Sequence, residues 1–293
     1  MKILLLGKNG QVGWELARTL LPLGEVIALD RQQIDFVNLE ALRQTIQTIR
    51  PDVIVNAVAY TAVDKAESDQ ESAFLCNATA VDAIAQEAKK ISALLIHYST
   101  DYIFDGTKNT PYLEDDAVNP LNVYGESKLA GENAIIASGV DYIILRTTWV
   151  FAARGQNFLK SILRLAAERD TLNIVADQIG APTWARVIAQ TSAHIIKQVQ
   201  QERAARKFVS GVFHLTSAGD TSWHGFAQKI VEFASPHCQF KTHVISAIPT
   251  SQYLTPAKRP LNSRLCTDKL TQRFGIVMPT WEVSLKLCME ELF

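Results

Sequence analysis

A chain of 293 residues with 47% apolar content is long enough to bury one large core and a second, smaller one. Its formal net charge of -1, without a Lys/Arg-rich block, leaves no basic surplus for nucleic-acid phosphates, and no run of 18 apolar residues offers a membrane span. Cys76, Cys238, Cys266 and Cys288 form no Cys-x-x-Cys pair, and the N-terminus opens directly into a strand rather than a signal peptide, so reduced thiols and a cytoplasmic protein are expected.

Ile3-Leu4-Leu5-Leu6 is an apolar run of buried-strand type that stops at Gly7, after which Val12, Leu16, Ala17 and Leu20 recur at helical spacing. The pattern predicts strand, glycine turn, helix. In Gly7-Lys8-Asn9-Gly10-Gln11-Val12-Gly13, Gly7 suits a tight turn, Gly10 lets the main chain approach a pyrophosphate, and Gly13 lets helix and strand pack closely. The phosphates would sit on the free amides of the helix N-terminus; a turn without a ligand is the alternative. Glu25-Val26-Ile27-Ala28-Leu29 then leads to Asp30, 17 residues past Gly13, placed to accept hydrogen bonds from an adenosine ribose. Its neighbour Arg31 would pair with the extra phosphate of NADP or stack on adenine. The two argue in opposite directions, so NADPH and NADH are both expected as cofactors.

Val53-Ile54-Val55 predicts a third strand, Ala93-Leu94-Leu95-Ile96 a fourth and Tyr142-Ile143-Ile144-Leu145 a fifth, with amphipathic stretches at 39–49, 66–90 and 125–137. Such alternation predicts an α/β fold with a doubly wound, parallel Rossmann-type sheet. Ligands on these sheets sit beyond the C-terminal strand ends. Three polar clusters fall there: Asn56-Ala57-Val58-Ala59-Tyr60-Thr61, Ser99-Thr100-Asp101 and Thr147-Thr148-Trp149. Further on, helical periodicity at 156–168, 183–200, 222–234 and 281–292, with a strand signal at Val212-Phe213-His214-Leu215, predicts a smaller C-terminal α/β substrate lobe. The expected domains are 1–150 for the dinucleotide and 151–293 for the substrate, with about 183–216 returning to the first. The polar loop 105–122 reads as a mobile flap or a plain surface loop. Asn77-Ala78-Thr79 matches a glycosylation acceptor, a chance match in a chain without a secretion signal.

Tyr124-Gly125-Glu126-Ser127-Lys128 supplies the chemistry. A helical pattern starting at Gly125 puts the Tyr124 hydroxyl and the Lys128 ammonium one turn apart on one face. A positive charge there favours phenolate, easing proton release from a side chain that ordinarily titrates near about 10. As hydride reaches a carbonyl carbon, Tyr124 would protonate the oxygen as general acid. Thr100 would donate a second hydrogen bond, and Lys128 would also hold the nicotinamide ribose. The alternative leaves Tyr124 at a loop edge and Lys128 on a solvated face.

The glycine loop, Ser99-Thr100-Asp101 and Tyr124/Lys128 together resemble the extended short-chain dehydrogenase/reductases, which act largely on nucleotide sugars. Further segments are similar to the dTDP-4-dehydrorhamnose reductase family: Gly7 through Leu16, Ala62-Val63-Asp64-Lys65-Ala66-Glu67, His97-Tyr98-Ser99-Thr100-Asp101-Tyr102, Pro120-Leu121-Asn122-Val123-Tyr124-Gly125 and Arg259-Pro260-Leu261-Asn262-Ser263-Arg264-Leu265. The similarity runs from residue 1 to about residue 290. It implies reduction of dTDP-4-dehydro-L-rhamnose to dTDP-L-rhamnose by NADPH or NADH, the last step of dTDP-rhamnose synthesis. It implies cofactor contacts at Gly10, Gln11, Val12, Asp30, Asp35, Phe36, Ala59, Tyr60, Thr61, Tyr98, Tyr124 and Lys128, and sugar contacts at Thr100, Asp101 and Trp149. From the residues alone, Asp101 is equally a turn cap and Trp149 a core aromatic.

The family is described with magnesium held by glutamates at a homodimer interface. Glu15 and Glu291 match two of those places, but the third carries Arg186, a cation that repels a metal. No bound metal is expected, and a homodimer of another kind stays open. Two other functions remain in play. A sugar-nucleotide dehydratase or epimerase of the same superfamily is one, although such dehydratases carry Asp-Glu after the threonine where this chain has Asp101-Tyr102. A non-catalytic NADP-binding regulatory subunit, like that of methionine adenosyltransferase, is the other; Thr100, Tyr124 and Lys128 weigh against it.

Overall fold

The computed structural model describes residues 1–293. Its strands are β1 (Lys2–Leu6), β2 (Glu25–Leu29), β3 (Val53–Asn56), β4 (Leu94–Thr100), β5 (Asp141–Thr147), β6 (Val150–Phe151), β7 (Thr171–Val175), β8 (Ile179–Gly180), β9 (Thr183–Trp184), β10 (Gly211–His214), β11 (Thr221–Ser222) and β12 (Val244–Ile248). The helices are α1 (Gln11–Thr19), α2 (Leu39–Ile49), α3 (Val63–Ala66), α4 (Gln70–Phe74), α5 (Ala80–Lys90), α6 (Val123–Ser138), α7 (Phe158–Glu168), α8 (Ala185–Ala204), α9 (Trp223–Ala234), α10 (Asp268–Phe274) and α11 (Trp281–Met289).

The expected doubly wound sheet is present. Six parallel strands lie in the order β10-β5-β4-β3-β1-β2. Successive strand side chains point to opposite faces, so a sheet covered on both sides must be apolar throughout. Ile3 and Leu5 of β1 accordingly enter one core with Leu16 of α1 and Ile188, Ile195 and Val199 of α8. Leu4 and Leu6 enter the opposite core with Leu42 and Ile46 of α2, Ile84 of α5 and Ile135 of α6. The chain leaves β1 for β2 on one side and crosses to β3 on the other, which opens a crevice between the C-terminal ends of β1 and β3.

The second half crosses between two bodies. α8 packs on the sheet, and β10 pairs with β5 in the register Gly211↔Ile143. A third core joins Phe151, Leu159 and Ile162 to Phe226 and Ile230 of α9 and to Trp281 and Leu285 of α11. β7 and β12, a parallel pair in register Thr171↔Val244, border this lobe and had no distinct sequence signal.

Two stretches differ from expectation. Residues 66–90, read as one amphipathic stretch, hold the last residue of α3 and then α4 and α5, with the π-helical turn Leu75–Thr79 joining α4 to α5. That turn presents Asn77 to the inside: the side chain is fully buried, accepts from Tyr60 N at 2.8 Å and donates to Tyr60 O and Ser127 Oγ. No glycan could reach it in the fold. The loop 105–122 is tied down, since Tyr112 N donates to Arg264 O and Asn262 Nδ2 to Lys108 O, both at 2.8 Å. No helix is long and apolar enough to cross a membrane.

Candidate active site

β1 ends at Gly7, whose φ of +92° lies in the region that favours glycine, and its amide donates to Leu29 O at 2.9 Å. At Gly13 a Cβ would stand 2.0 Å from Gly7 O, so only glycine lets α1 start this close to the loop. No side chain caps α1, and its first turn holds no acidic residue. Its free amides and positive dipole end are therefore open to an anion, which fits a dinucleotide pyrophosphate at Gly10, Gln11 and Val12.

Beside the loop lies a cleft of about 470 Å³ lined by Gly7, Asn9, Gly10, Asp30, Arg31, Ile34, Asp35, Phe36, Ala57, Ala59, Tyr60, Lys65 and Cys76, among others. Half of the predicted cofactor contacts, Gly10, Asp30, Asp35, Phe36, Ala59 and Tyr60, thus meet in one cavity, while Gln11, Val12, Tyr124 and Lys128 lie outside its lining. Thr61 is exposed outside its lining, and Tyr98 turns its hydroxyl away, donating to Ser192 Oγ of α8 at 2.7 Å. Lys8 was missed. Its Nζ lies 3.4 Å from Asp30 Oδ2, and Asn9 Nδ2 donates to the same oxygen at 3.1 Å. Asp30 is therefore not the lone carboxylate that its sequence position suggested, and a second cation stands beside Arg31.

The reacting groups gather where β4 and β5 end. α6 begins with three clamps: Gly125 N donates to Asn122 Oδ1 at 2.8 Å, Val123 N to Glu67 Oε1 at 2.9 Å, and Asn122 Nδ2 to Lys258 O at 2.8 Å. They fix Tyr124 in the first turn, half-buried, with its ring edge-on to Tyr102 at 5.6 Å between centroids. Burial pushes the Tyr124 phenol up to about 12, opposed by hydrogen bonding with Thr100 and reinforced by the charge of Asp101.

This corrects the expected electrostatics. Lys128 is one turn on, but its ammonium nitrogen is fully buried against β4, 2.7 Å from Tyr98 O and 3.2 Å from His97 Nε2. Burial outweighs its charge at the phenol. Burial itself lowers Lys128 to about 8, with Glu132 and Cys76 pulling the other way. Burial also pushes Asp101 up to about 6 against nearby hydroxyls, Ser263 foremost.

Several buried polar atoms around these residues have no partner: Asp101 Oδ2 and the hydroxyls of Ser99, Thr147 and Thr148. Such orphans are costly unless a ligand satisfies them, and their number here fits a polyhydroxylated one. Trp149 follows with φ +46° and stacks on Trp223 at 3.6 Å between centroids. Trp223, at the start of α9, gave no sequence signal beyond being aromatic. Arg259 was also missed as an individual residue: Nη2 donates to Asp64 Oδ2 at 2.8 Å, while Nη1 is buried without a partner. This ion pair ties two distant segments quoted above together.

Arg186, at the start of α8, donates from Nε to Glu15 Oε2 at 3.0 Å and also pairs with Glu291. The guanidinium occupies the middle of this carboxylate pair. Divalent-ion binding should therefore be weak, and activity and oligomeric state are expected to survive EDTA. A dimer that separates in EDTA, or a metal copurifying in one-to-one amount, would overturn this.

Sheet order and glycine loop together define a Rossmann-type α/β protein of the dinucleotide-binding class. The chain belongs to the family described as RmlD substrate binding domain, which it matches over residues 1–293. It is 52% identical to the dTDP-4-dehydrorhamnose reductase of Burkholderia thailandensis, with 100% of this chain and 99% of that protein covered. The structure is similar to a dTDP-4-dehydrorhamnose reductase of Clostridium acetobutylicum, at 35% identity and TM-score 0.90, covering 100% of this chain and 99% of that one. It is also similar to the Bacillus anthracis enzyme of that name solved in complex with NADP, at 32% identity and TM-score 0.88, with 99% of both chains covered.

Proposed function

We propose that this chain reduces dTDP-4-dehydro-L-rhamnose to dTDP-L-rhamnose with NADPH or NADH, as the last, cytoplasmic step of dTDP-rhamnose synthesis. The observation that carries the reading is Tyr124 beside Thr100 at the end of β4, the strand next to β3, whose own end lines the dinucleotide cleft. The names of relatives at about half identity support the substrate.

The division of labour follows the two bodies: the sheet, with α8 and β10, takes the cofactor, and the remainder of 151–293 frames the sugar. The pyrophosphate would rest on Gly10, Gln11 and Val12, the adenosine ribose by Asp30, Arg31 and Lys8, and the base by Asp35, Phe36, Ala59 and Tyr60. Bound there, the dinucleotide supplies the hydride. Tyr124 gives its phenolic proton to the sugar's keto oxygen, and Thr100 donates a hydrogen bond to that oxygen. Asp101, Thr147 and Thr148 meet sugar hydroxyls, and Trp149 covers one face of the ring. Tyr102 favours reduction over dehydration, because it packs on Tyr124 where a dehydratase carries its second acid.

The test is absorbance at the nicotinamide band with purified protein, NADPH and dTDP-4-dehydro-L-rhamnose. Substrate-dependent loss is expected; no loss would overturn the reductase reading and leave the epimerase and regulatory-subunit readings. NADH should also support the reaction, since Lys8 offsets Asp30 while leaving it in place to accept from a ribose hydroxyl. Arg31→Ala is expected to weaken NADPH selectively, and equal weakening of both cofactors would show that Arg31 does not read the phosphate.

A further inference from the structure

Asn56, His97 and Lys128 form a buried line across β3, β4 and α6, and of the three only Lys128 has an expected role, at the nicotinamide ribose. Asn56 and His97 are direct partners in the β3/β4 register, and all three residues are at most 1% exposed. Val58 N donates to Asn56 Oδ1 at 3.1 Å, which turns the amide nitrogen toward His97 Nδ1, also at 3.1 Å. The amide ends are assigned from this network, because the reverse orientation would face Val58 N–H with another donor. An amide nitrogen only donates, so Nδ1 must accept. A neutral imidazole then carries its one proton on Nε2, the atom 3.2 Å from Lys128 Nζ. An N–H facing an ammonium sets donor against donor, whereas facing an amine it meets a lone pair.

We propose that His97, with its tautomer set by Asn56, is a positioning residue that presents Nε2–H to Lys128 and favours the uncharged amine over the ammonium. Burial, and then the charge of Lys128, hold His97 well below the usual histidine range, consistent with a single ring proton. The other titratable groups facing Lys128 are Glu132 on its own helix and Cys76 in the π-helical turn. Glu132 raises the proton affinity of Lys128 through charge alone, its carboxylate oxygens accepting from Arg146, and burial raises the Cys76 thiol. His97 is thus the group whose hydrogen-bond polarity tunes this lysine. The consequence for activity rests on the reductase reading together with the expected hold of a charged Lys128 on the nicotinamide ribose, so that loss of the Lys128 proton closes the alkaline side of the pH profile.

The decisive measurement is the nitrogen NMR spectrum of the ligand-free protein with ¹⁵N-labelled imidazoles at neutral pH. A His97 proton on Nε2 alone is expected; a proton on Nδ1, or on both nitrogens, overturns the proposal. Asn56→Asp supplies an acceptor to Nδ1, so the proton should move there and Nε2 should accept from the ammonium. The alkaline limb of the reductase activity should then rise by about one pH unit. The same substitution in a His97→Phe background measures the added charge alone. A rise as large there as with histidine present, or an unmoved limb in Asn56→Asp, also overturns the proposal. The spectrum needs no substrate, so an inactive protein would sink the reductase reading and leave the tautomer to stand or fall on its own result.

Discussion

Tyr124→Phe is expected to lower turnover by about two to four powers of ten, the usual size of general acid catalysis, while NADPH affinity stays near that of the parent. The substitution removes only the hydroxyl. The ring keeps its edge-on contact with Tyr102, and the clamps of Asn122 and Glu67 on the first turn of α6 involve backbone amides. Burial raises the phenol to about 12, so the proton is present throughout the neutral range and is lost only as pH climbs toward that value. The phenol therefore sets no acid limb, and its contribution persists on the acid side of neutrality. Steady-state kinetics beside a fluorescence titration of NADPH separates the two quantities. Near-normal turnover would remove Tyr124 from the chemistry, and a parallel loss of NADPH affinity would recast it as a binding residue.

The parts of this arrangement that local pattern encodes were legible in the sequence. Ile3 through Leu6 had to be a buried strand, and Gly7 and Gly13 had to be glycine for reasons of backbone angle and close approach. Strand ends announced themselves as polar clusters after apolar runs, which located Thr100, Asp101 and Trp149. What local pattern does not encode is the partner across the fold. Lys128 sits at the predicted spacing, yet its nitrogen goes to β4, where the Tyr98 carbonyl accepts from it. Asp30 read as a free carboxylate because Lys8 is 22 residues away in sequence and adjacent only once β1 and β2 pair. β7 and β12 lie 73 positions apart in register, so neither shows its purpose alone. The π-helical turn leaves no periodic trace, since it inserts one residue into an otherwise helical stretch.

Glu132→Leu is expected to destabilise the fold by about 3–5 kcal/mol, because it strands a buried guanidinium. Arg146 of β5 reaches Glu132 of α6 with Nε at 3.1 and 3.2 Å and Nη2 at 2.7 Å, and the side chains are 6% and 1% exposed. With the carboxylate gone, only Nη1 keeps a partner, the carbonyl of Glu114 at 3.0 Å. A thermal midpoint lower by roughly 5–15 °C should result. The double variant Glu132→Leu with Arg146→Met should regain most of that stability, since apolar side chains of similar volume replace buried ion pairs at little cost. A single variant within about 1 kcal/mol of the parent would mean that water reaches Arg146. The pair also bears on the chemistry: Glu132 lies one turn beyond Lys128 and raises its proton affinity. The double variant, stable again but without that carboxylate, should hold the Lys128 proton less tightly and lose activity at a lower pH than the parent. An unchanged alkaline limb in that well-folded variant would show that Glu132 serves the fold alone.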